Sequence, residues 1–225
     1  MDWKKFWNQK ANDSNEYKQV ARIIHGKEHS EEILDKIALR VISQLELQPE
    51  DSLLDLCCGN GLLTNLISKH CRQVDAVDIS SNLIRKAQDK YNSGKIQFIN
   101  SDVLTYASYK KYDKILLYFS FQYIDTFEKG KDLIKNVIRM SNPNTRILIG
   151  DIPDIQKLSV YYPSTIDRLK YHIKNQFQNS DMGKFWSPSE LDSICQSLKL
   201  KGEHIAQESW QPYSNYRFDY LITLE

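Results

Sequence analysis

The sequence predicts a doubly wound α/β fold: a seven-stranded, mostly parallel sheet with helices on both faces and an antiparallel last strand. Three observations carry this. From Ser52 to Ile152 short apolar runs alternate with helical patterns, as parallel strands joined by crossover helices require. The runs are apolar enough for strands covered on both faces. The C-terminal part breaks the rhythm with two successive strand patterns, "GEHIAQES" and "YRFDYLITLE", joined by a turn-like segment through Pro212. Such a hairpin sets one antiparallel strand into the sheet.

The elements follow in order. Ser30 caps a helix running to about Leu45, in which Ile33, Ile37, Val41 and Leu45 recur every four residues and Leu34, Ala38 and Ile42 widen the stripe. Pro49 and Glu50 close it. "SLLDLC" reads as the first buried strand and "LLTNLISKH" as a helix. "QVDAVDI" is the second strand, and a helix follows Ser80 to about Tyr91. "KIQFINSD" and "YDKILLYFS" are the third and fourth strands, "TFEKGKDLIKNVIRM" a helix and "TRILIGDI" the fifth strand. Ser187, Pro188 and Glu190 form a capping box with proline at the first helical position, opening a helix to about Leu200.

At 225 residues the chain fits one domain spanning 1–225, with residues 1–48 as an N-terminal helical cap. Residues 153–186 form an extra helix-leaning block, with Leu158, Ile166, Leu169 and Ile173 as its apolar positions. Its aromatics, Tyr161, Tyr162, Tyr171, Phe177 and Trp186, suit a lid or substrate wall, or equally a minor core.

Composition narrows the function classes. Lys plus Arg number 30 against 29 Asp plus Glu, a formal net charge of +1, which leaves no electrostatic footprint for nucleic acid or an acidic membrane. The N-terminus lacks the pattern of a signal peptide, and no run is long and apolar enough to span a membrane. Cys57, Cys58, Cys71 and Cys195 show no disulfide or metal-ligand spacing, so a reduced, cytoplasmic protein without a metal is expected. The neighbouring thiols of Cys57 and Cys58 read as small side chains at a tight turn.

The stretch "LLDLCCGNGLLTNL", residues 53–66, is the carboxyl end of the first strand turning into a helix. Ligands of this fold bind beyond the carboxyl ends of the strands, and Gly59 and Gly61 let backbone bend and approach one closely. Asp78 ends the second strand 17 residues after Gly61, near the spacing at which a carboxylate accepts ribose hydroxyls. A dinucleotide fingerprint would need glycine where Thr64 stands, which weakens a nicotinamide reading. Asp55 inside the first strand and Asp102 after the third instead suit a nucleoside that carries an ammonium and no pyrophosphate.

On these residues the chain resembles the class I S-adenosylmethionine-dependent methyltransferases. "LLDLCCGNG" is similar to their first motif, Asp-Leu-Gly-Cys-Gly-x-Gly, with Cys57 at the first glycine; "VDAVDIS" and "INSDV" are similar to the second and third. The resemblance implies S-adenosylmethionine as cofactor. It places Asp55, Cys57, Gly59, Asn60 and Gly61 around the methionine portion, Asp78 on the ribose, and Ile79, Asp102 and Val103 at the adenine. Tyr118 would lie near the sulfonium. The amino-methylating motif Asn/Asp-Pro-Pro-Tyr/Phe is absent from "YFSFQYID". The resemblance therefore implies methyl transfer to a small molecule, at oxygen in preference to nitrogen. Candidate groups on the acceptor side are Asp151, ending the fifth strand, His25 on the covering segment, and His172 in the extra block. The rivals are a nicotinamide-dependent oxidoreductase and a non-catalytic cofactor-binding or regulatory module.

Overall fold

The computed structural model describes residues 1–24, 27–28, 30–177 and 182–224, and of residues 23, 24, 27 and 28 the backbone alone. The chain opens with α1 (Trp3–Lys10), capped by Asp2, and α2 (Glu16–Gln19), where Asn15 Oδ1 accepts from the Tyr17 and Lys18 amides at 2.9 and 3.1 Å. A short antiparallel ladder pairs β1 (Ile23–Ile24) with β2 (Lys27–Glu28). Helix α3 (Glu31–Leu45) starts where expected, because the Ser30 hydroxyl accepts from the Ile33 amide. It ends with Glu46 in the left-handed region, φ +51°.

The sheet then builds outward in both directions from its first strand. β3 (Ser52–Leu56) leads through α4 (Leu62–Ile67) to β4 (Gln73–Asp78), and α5 (Ser81–Lys90) leads to β5 (Ile96–Asn100). The chain returns to the other side of β3 with β6 (Tyr112–Tyr118), and α6 (Phe127–Arg139) leads to β7 (Ser141–Pro153). Two short helices follow, α7 (Leu158–Tyr161) and α8 (Thr165–Gln176), then α9 (Pro188–Leu198) with the expected capping box. β8 (Lys201–Ala206) and β9 (Arg217–Thr223) complete the sheet, of order β5-β4-β3-β6-β7-β9-β8. β9 is inserted between β7 and β8 and runs antiparallel to both, while the other neighbours are parallel.

Alternate residues of the central strands feed two cores. Leu54, Leu56, Ile115, Leu117, Ile147 and Ile149 face α6 and α9, meeting Leu133, Val137, Leu191 and Ile194. Leu53, Val74, Leu116 and Leu148 face the other way, toward Ile37, Val41 and Leu45 of α3 and Ile84 of α5. With both faces covered, the strands carry no polar-out alternation, which is why they read as continuous apolar runs. Among the described residues no helix is long and apolar enough to cross a membrane.

Two expectations change. Asp151 does not end its strand: β7 runs on to Pro153, and its register against β9 shifts between Ile149 and Ile152, leaving Asp151 in an irregularity at φ +60°. In the extra block, Ile166, Leu169 and Ile173 are exposed, and Tyr171 is the buried residue of α8. Tyr171 Oη accepts from the Phe185 amide at 2.8 Å, and Leu158, Tyr171, Phe185 and Tyr216 make a small aromatic core. Trp186 belongs to the main core instead, its indole N–H donating to Phe121 O at 3.2 Å.

Candidate active site

The order of the strands fixes where the site must be. Since β3 is followed by β4 on one side and by β6 on the other, connections leave the carboxyl ends of β3 and β6 in opposite directions and open a crevice between them. A cleft partly open to solvent lies there. Asp55, Cys57, Gly59, Asn60, Asp78, Ile79, Asp102, Val103 and Tyr118 all line it.

The turn after β3 depends on three left-handed residues, Cys57 (φ +63°), Gly59 (φ +59°) and Gly61 (φ +78°). A cysteine there strains the backbone by an amount of order 1–3 kcal/mol. Its side chain lies against the main core, and burial pushes its thiol pKa upward, so the group stays neutral. Gly61 does not reach the cleft. It caps α4, and a Cβ on it would sit 3.0 Å from the Phe98 ring, so packing rather than ligand approach demands glycine there. The four cysteines are free thiols.

Asp78 organises the loop. Its Oδ2 accepts from the Gly59 amide at 2.9 Å and its Oδ1 from the Ser80 amide at 2.8 Å. Each oxygen keeps a second acceptor position, which suits a pair of vicinal hydroxyls. Burial outweighs these two bonds and raises its pKa to about 6. Asp55 is also buried; desolvation lifts it to about 7 despite the 2.6 Å bond donated by the Thr64 hydroxyl. Asp102, beyond β5, accepts from the Leu104 amide at 2.9 Å through Oδ1. Ile79, Leu83, Val103 and Leu104 supply apolar walls beside these acids. Carboxylates with acceptor positions to spare, an apolar slot and a glycine turn fit the hydroxyl donors and the flat base of a purine nucleoside.

The covering wall comes from the N-terminal segment. Trp3 and Trp7 of α1 line the cleft and pack on Tyr123, with ring centroids 4.4 and 5.4 Å apart. Asn8 ties α1 to the N-terminus of α5: its Oδ1 accepts from Ser80 Oγ at 2.8 Å and from the Asn82 amide at 3.2 Å. The Asn60 amide turns toward this segment too, donating to Glu16 O and Gln19 Oε1 at 2.9 and 3.0 Å. Val20 is so close to the turn that a Cβ on Gly59 would lie 2.7 Å from its Cγ1.

The model of a methyltransferase domain family matches residues 53–144, from β3 to the start of β7. A Methanococcus vannielii protein named probable cobalt-precorrin-6B C(15)-methyltransferase (decarboxylating) is 32% identical over 148 residues, 63% of this chain and 75% of its own. The chain belongs to the class I S-adenosylmethionine-dependent methyltransferases. A malonyl-[acyl-carrier protein] O-methyltransferase from Priestia megaterium is 28% identical over 77% of this chain, and the match spans 64% of that relative's length. The solved N-methyltransferase NodS from Bradyrhizobium japonicum, in complex with S-adenosyl-L-homocysteine, superposes with a TM-score of 0.66. It covers 100% of this chain and 99% of its own at 13% identity, a likeness of fold.

In this member of the family the acceptor-side candidates are less well placed than the residues nominated for the cofactor. His25 lies outside the described residues. His172 is on the exposed side of α8, and none of the described residues of 153–186 lines the cleft. Asp151 stands behind it, buried and gripped: Arg22 Nη1 lies 3.4 Å from Oδ2, Arg217 Nη1 3.9 Å from the same oxygen, and Gln207 Nε2 donates to Oδ1 at 3.0 Å. Sequence reasoning missed Arg22, Trp3, Trp7, Phe119 and Ser120 as cleft residues. The "MDWKKFW" aromatics on an amphipathic helix were the available signal for the covering wall; nothing local marks Arg22.

Proposed function

We propose that the protein transfers a methyl group from S-adenosylmethionine to an oxygen of a small-molecule acceptor. The observation that carries this is the pairing of the Asp78-buttressed glycine turn with a covered cleft that continues past it to the ends of β6. Asp78 would accept the ribose hydroxyls and Asp102 would face the adenine between Ile79 and Val103. Asp55, Cys57, Gly59 and Asn60 would line the methionine portion, and Gly61 would fix the turn without touching the ligand. When bound, S-adenosylmethionine supplies an activated carbon, so the chain's work is alignment and exclusion of water. Trp3, Trp7 and Tyr123 close the cleft on the side where solvent would enter, and Tyr118 walls the continuation toward the acceptor.

The enclosure favours a small acceptor over a duplex. The O-methyltransferase named among the relatives and the absence of an amino-methylating motif after β6 favour oxygen. Asp151, shared between two guanidinium groups, acts as a positioning residue for Arg22 in this reading rather than as the base. Titration with S-adenosylhomocysteine, read through the fluorescence of Trp3 and Trp7, tests the cofactor assignment. Saturable quenching at or below micromolar to millimolar ligand is expected; its absence sinks the reading, and tight NADH binding in its place revives the oxidoreductase.

A further inference from the structure

Helix α8 presents apolar side chains on two opposite sides. Its inner side is held by Tyr171, whose hydroxyl accepts from the Phe185 amide in the small aromatic core. On its outer side Ile166, Leu169, Ile173 and Phe177 are 65, 61, 50 and 68% exposed. Spacings of three, four and four residues stack these four into one stripe, across the helix from Tyr171. Such a stripe is the pattern by which a helix meets an apolar partner. The exposure is also concentrated. With Val160 of α7, this block carries five of the ten exposed large apolar side chains among the described residues, a patch rather than the usual scatter.

The charge around the stripe says what covers it. Residues 157–177 hold Lys157, Arg168, Lys170 and Lys174 against the single acid Asp167, a net +3 in a chain whose whole net charge is +1. The balance of the whole chain therefore conceals a local basic excess. Arg168 spends its guanidinium inside the block, on Tyr162 O, Pro163 O and Thr165 Oγ1. Lys170 and Lys174, both exposed, follow one flank of the stripe. Lys170 lies 3.7 Å from Asp167 in a solvent-exposed pair, an arrangement that contributes little and yields readily to another anion. Apolar side chains bordered by lysines suit a helix lying in the headgroup region of an anionic bilayer, with the lysine stems reaching out to the phosphates. A second copy fits less well. Antiparallel pairing across the stripe would set the lysine flank against itself. Four side chains also offer only a few hundred Å², short of the about 800 Å² per partner of a standard interface.

We propose that the outer face of α8 docks on an anionic lipid surface, with Ile166, Leu169, Ile173 and Phe177 entering the headgroup region and Lys170 and Lys174 at the lipid phosphates. The helix is already ordered by Tyr171 and the Arg168 bonds, so docking carries no cost of folding it. Ring contacts run from Tyr171 through Phe185, Tyr216 and Tyr213 to Phe119, with centroids 5.2, 6.4, 5.9 and 5.9 Å apart. They tie α8 to the β6 end of the cleft, so a docked helix holds the cleft at a fixed position relative to the lipid.

The test mixes the full-length protein with vesicles of phosphatidylcholine alone, or of phosphatidylcholine and phosphatidylglycerol in equal parts, and reads the bound fraction by flotation. Binding to the anionic vesicles is expected to be tighter by about tenfold or more and to weaken as salt is raised. The double variant Leu169→Gln, Ile173→Gln should lose at least about tenfold in that binding. The double variant Lys170→Gln, Lys174→Gln should lose most of the preference for anionic lipid. All four positions are exposed, so an unchanged thermal midpoint is expected and checks the fold of both variants. Equal binding of the wild type to the two vesicles, or binding to neither, overturns the proposal, and that comparison stands even if a variant folds poorly. Full binding by Leu169→Gln, Ile173→Gln overturns it as well. If the wild type instead dimerises in sedimentation equilibrium, binds no vesicle and becomes monomeric in that variant, the stripe belongs to a second copy and the proposal falls.

Discussion

Asp78 shows how one carboxylate serves two purposes: it pins the glycine turn through the Gly59 amide and retains acceptor positions for a ligand. Charge-assisted bonds of this kind are worth roughly 1.5–3 kcal/mol each. Asp78→Ala should therefore weaken S-adenosylhomocysteine binding by about tenfold to a thousandfold, measured by calorimetry; unchanged affinity would make the acid purely structural. Asp151 supports a different expectation. Were it a free base, Asp151→Asn would lower turnover and leave stability alone. Because it neutralises buried Arg22 and Arg217, its replacement should instead destabilise the fold by on the order of 3 kcal/mol in denaturant titration. A variant as stable as wild type with slow turnover would restore the base.

At the scale of elements, α1 is the part whose position depends on a handful of contacts. Trp7, Ala11 and Leu83 make a small core of their own, and Asn8 bonds the first turn of α5. Truncating a well-packed tryptophan costs about 3–5 kcal/mol. In Trp7→Ala that loss should appear as detachment of the segment, because the sheet's two cores do not include it. Expected are at least about tenfold weaker S-adenosylhomocysteine binding and faster tryptic cleavage at Lys10, with little change in the global denaturation midpoint. Cleavage that S-adenosylhomocysteine fails to slow in the wild type would count against α1 as the cover.

For the whole molecule, the two buried acids make binding and stability respond to pH in opposite senses. Folding raises Asp78 from 3.8 to about 6 and Asp55 from 3.8 to about 7. Their contribution to stability is full below the unfolded value and is lost as pH rises through the folded ones. Ribose hydroxyls donate to the ionised form of Asp78, so S-adenosylhomocysteine affinity should climb as pH rises through about 6 and level off near neutrality. Fluorescence titrations at a series of pH values check this; Asp78→Asn should flatten the Asp78 component of the rise, and a wild-type affinity that falls over the same range would refute the assignment.

The sequence by itself determined the fold class and nominated the residues of the cofactor side, most of which line one cleft. Both are encoded locally: the apolar runs give β3 to β7, the capping serines start α3 and α9, and the turn from Asp55 to Gly61 with Asp78 and Asp102 lies within a few residues of the strand ends that carry it. Even so, local reading did not show that Gly61 packs against the Phe98 ring of another strand, and it placed Asp151 at the end of a strand that continues past it. Only the tertiary structure assembled the cluster behind the β6 end of the cleft. The grouping of Arg22, Tyr118, Ser120, Asp151 and Arg217 joins residues from the N-terminal segment, β6, β7 and β9, up to 195 positions apart (217 − 22). No periodicity or spacing records such a meeting. It arises because β9 slots between β7 and β8 and brings Arg217 to the Asp151 irregularity, while the first helices fold back over the cleft on packing of their tryptophans.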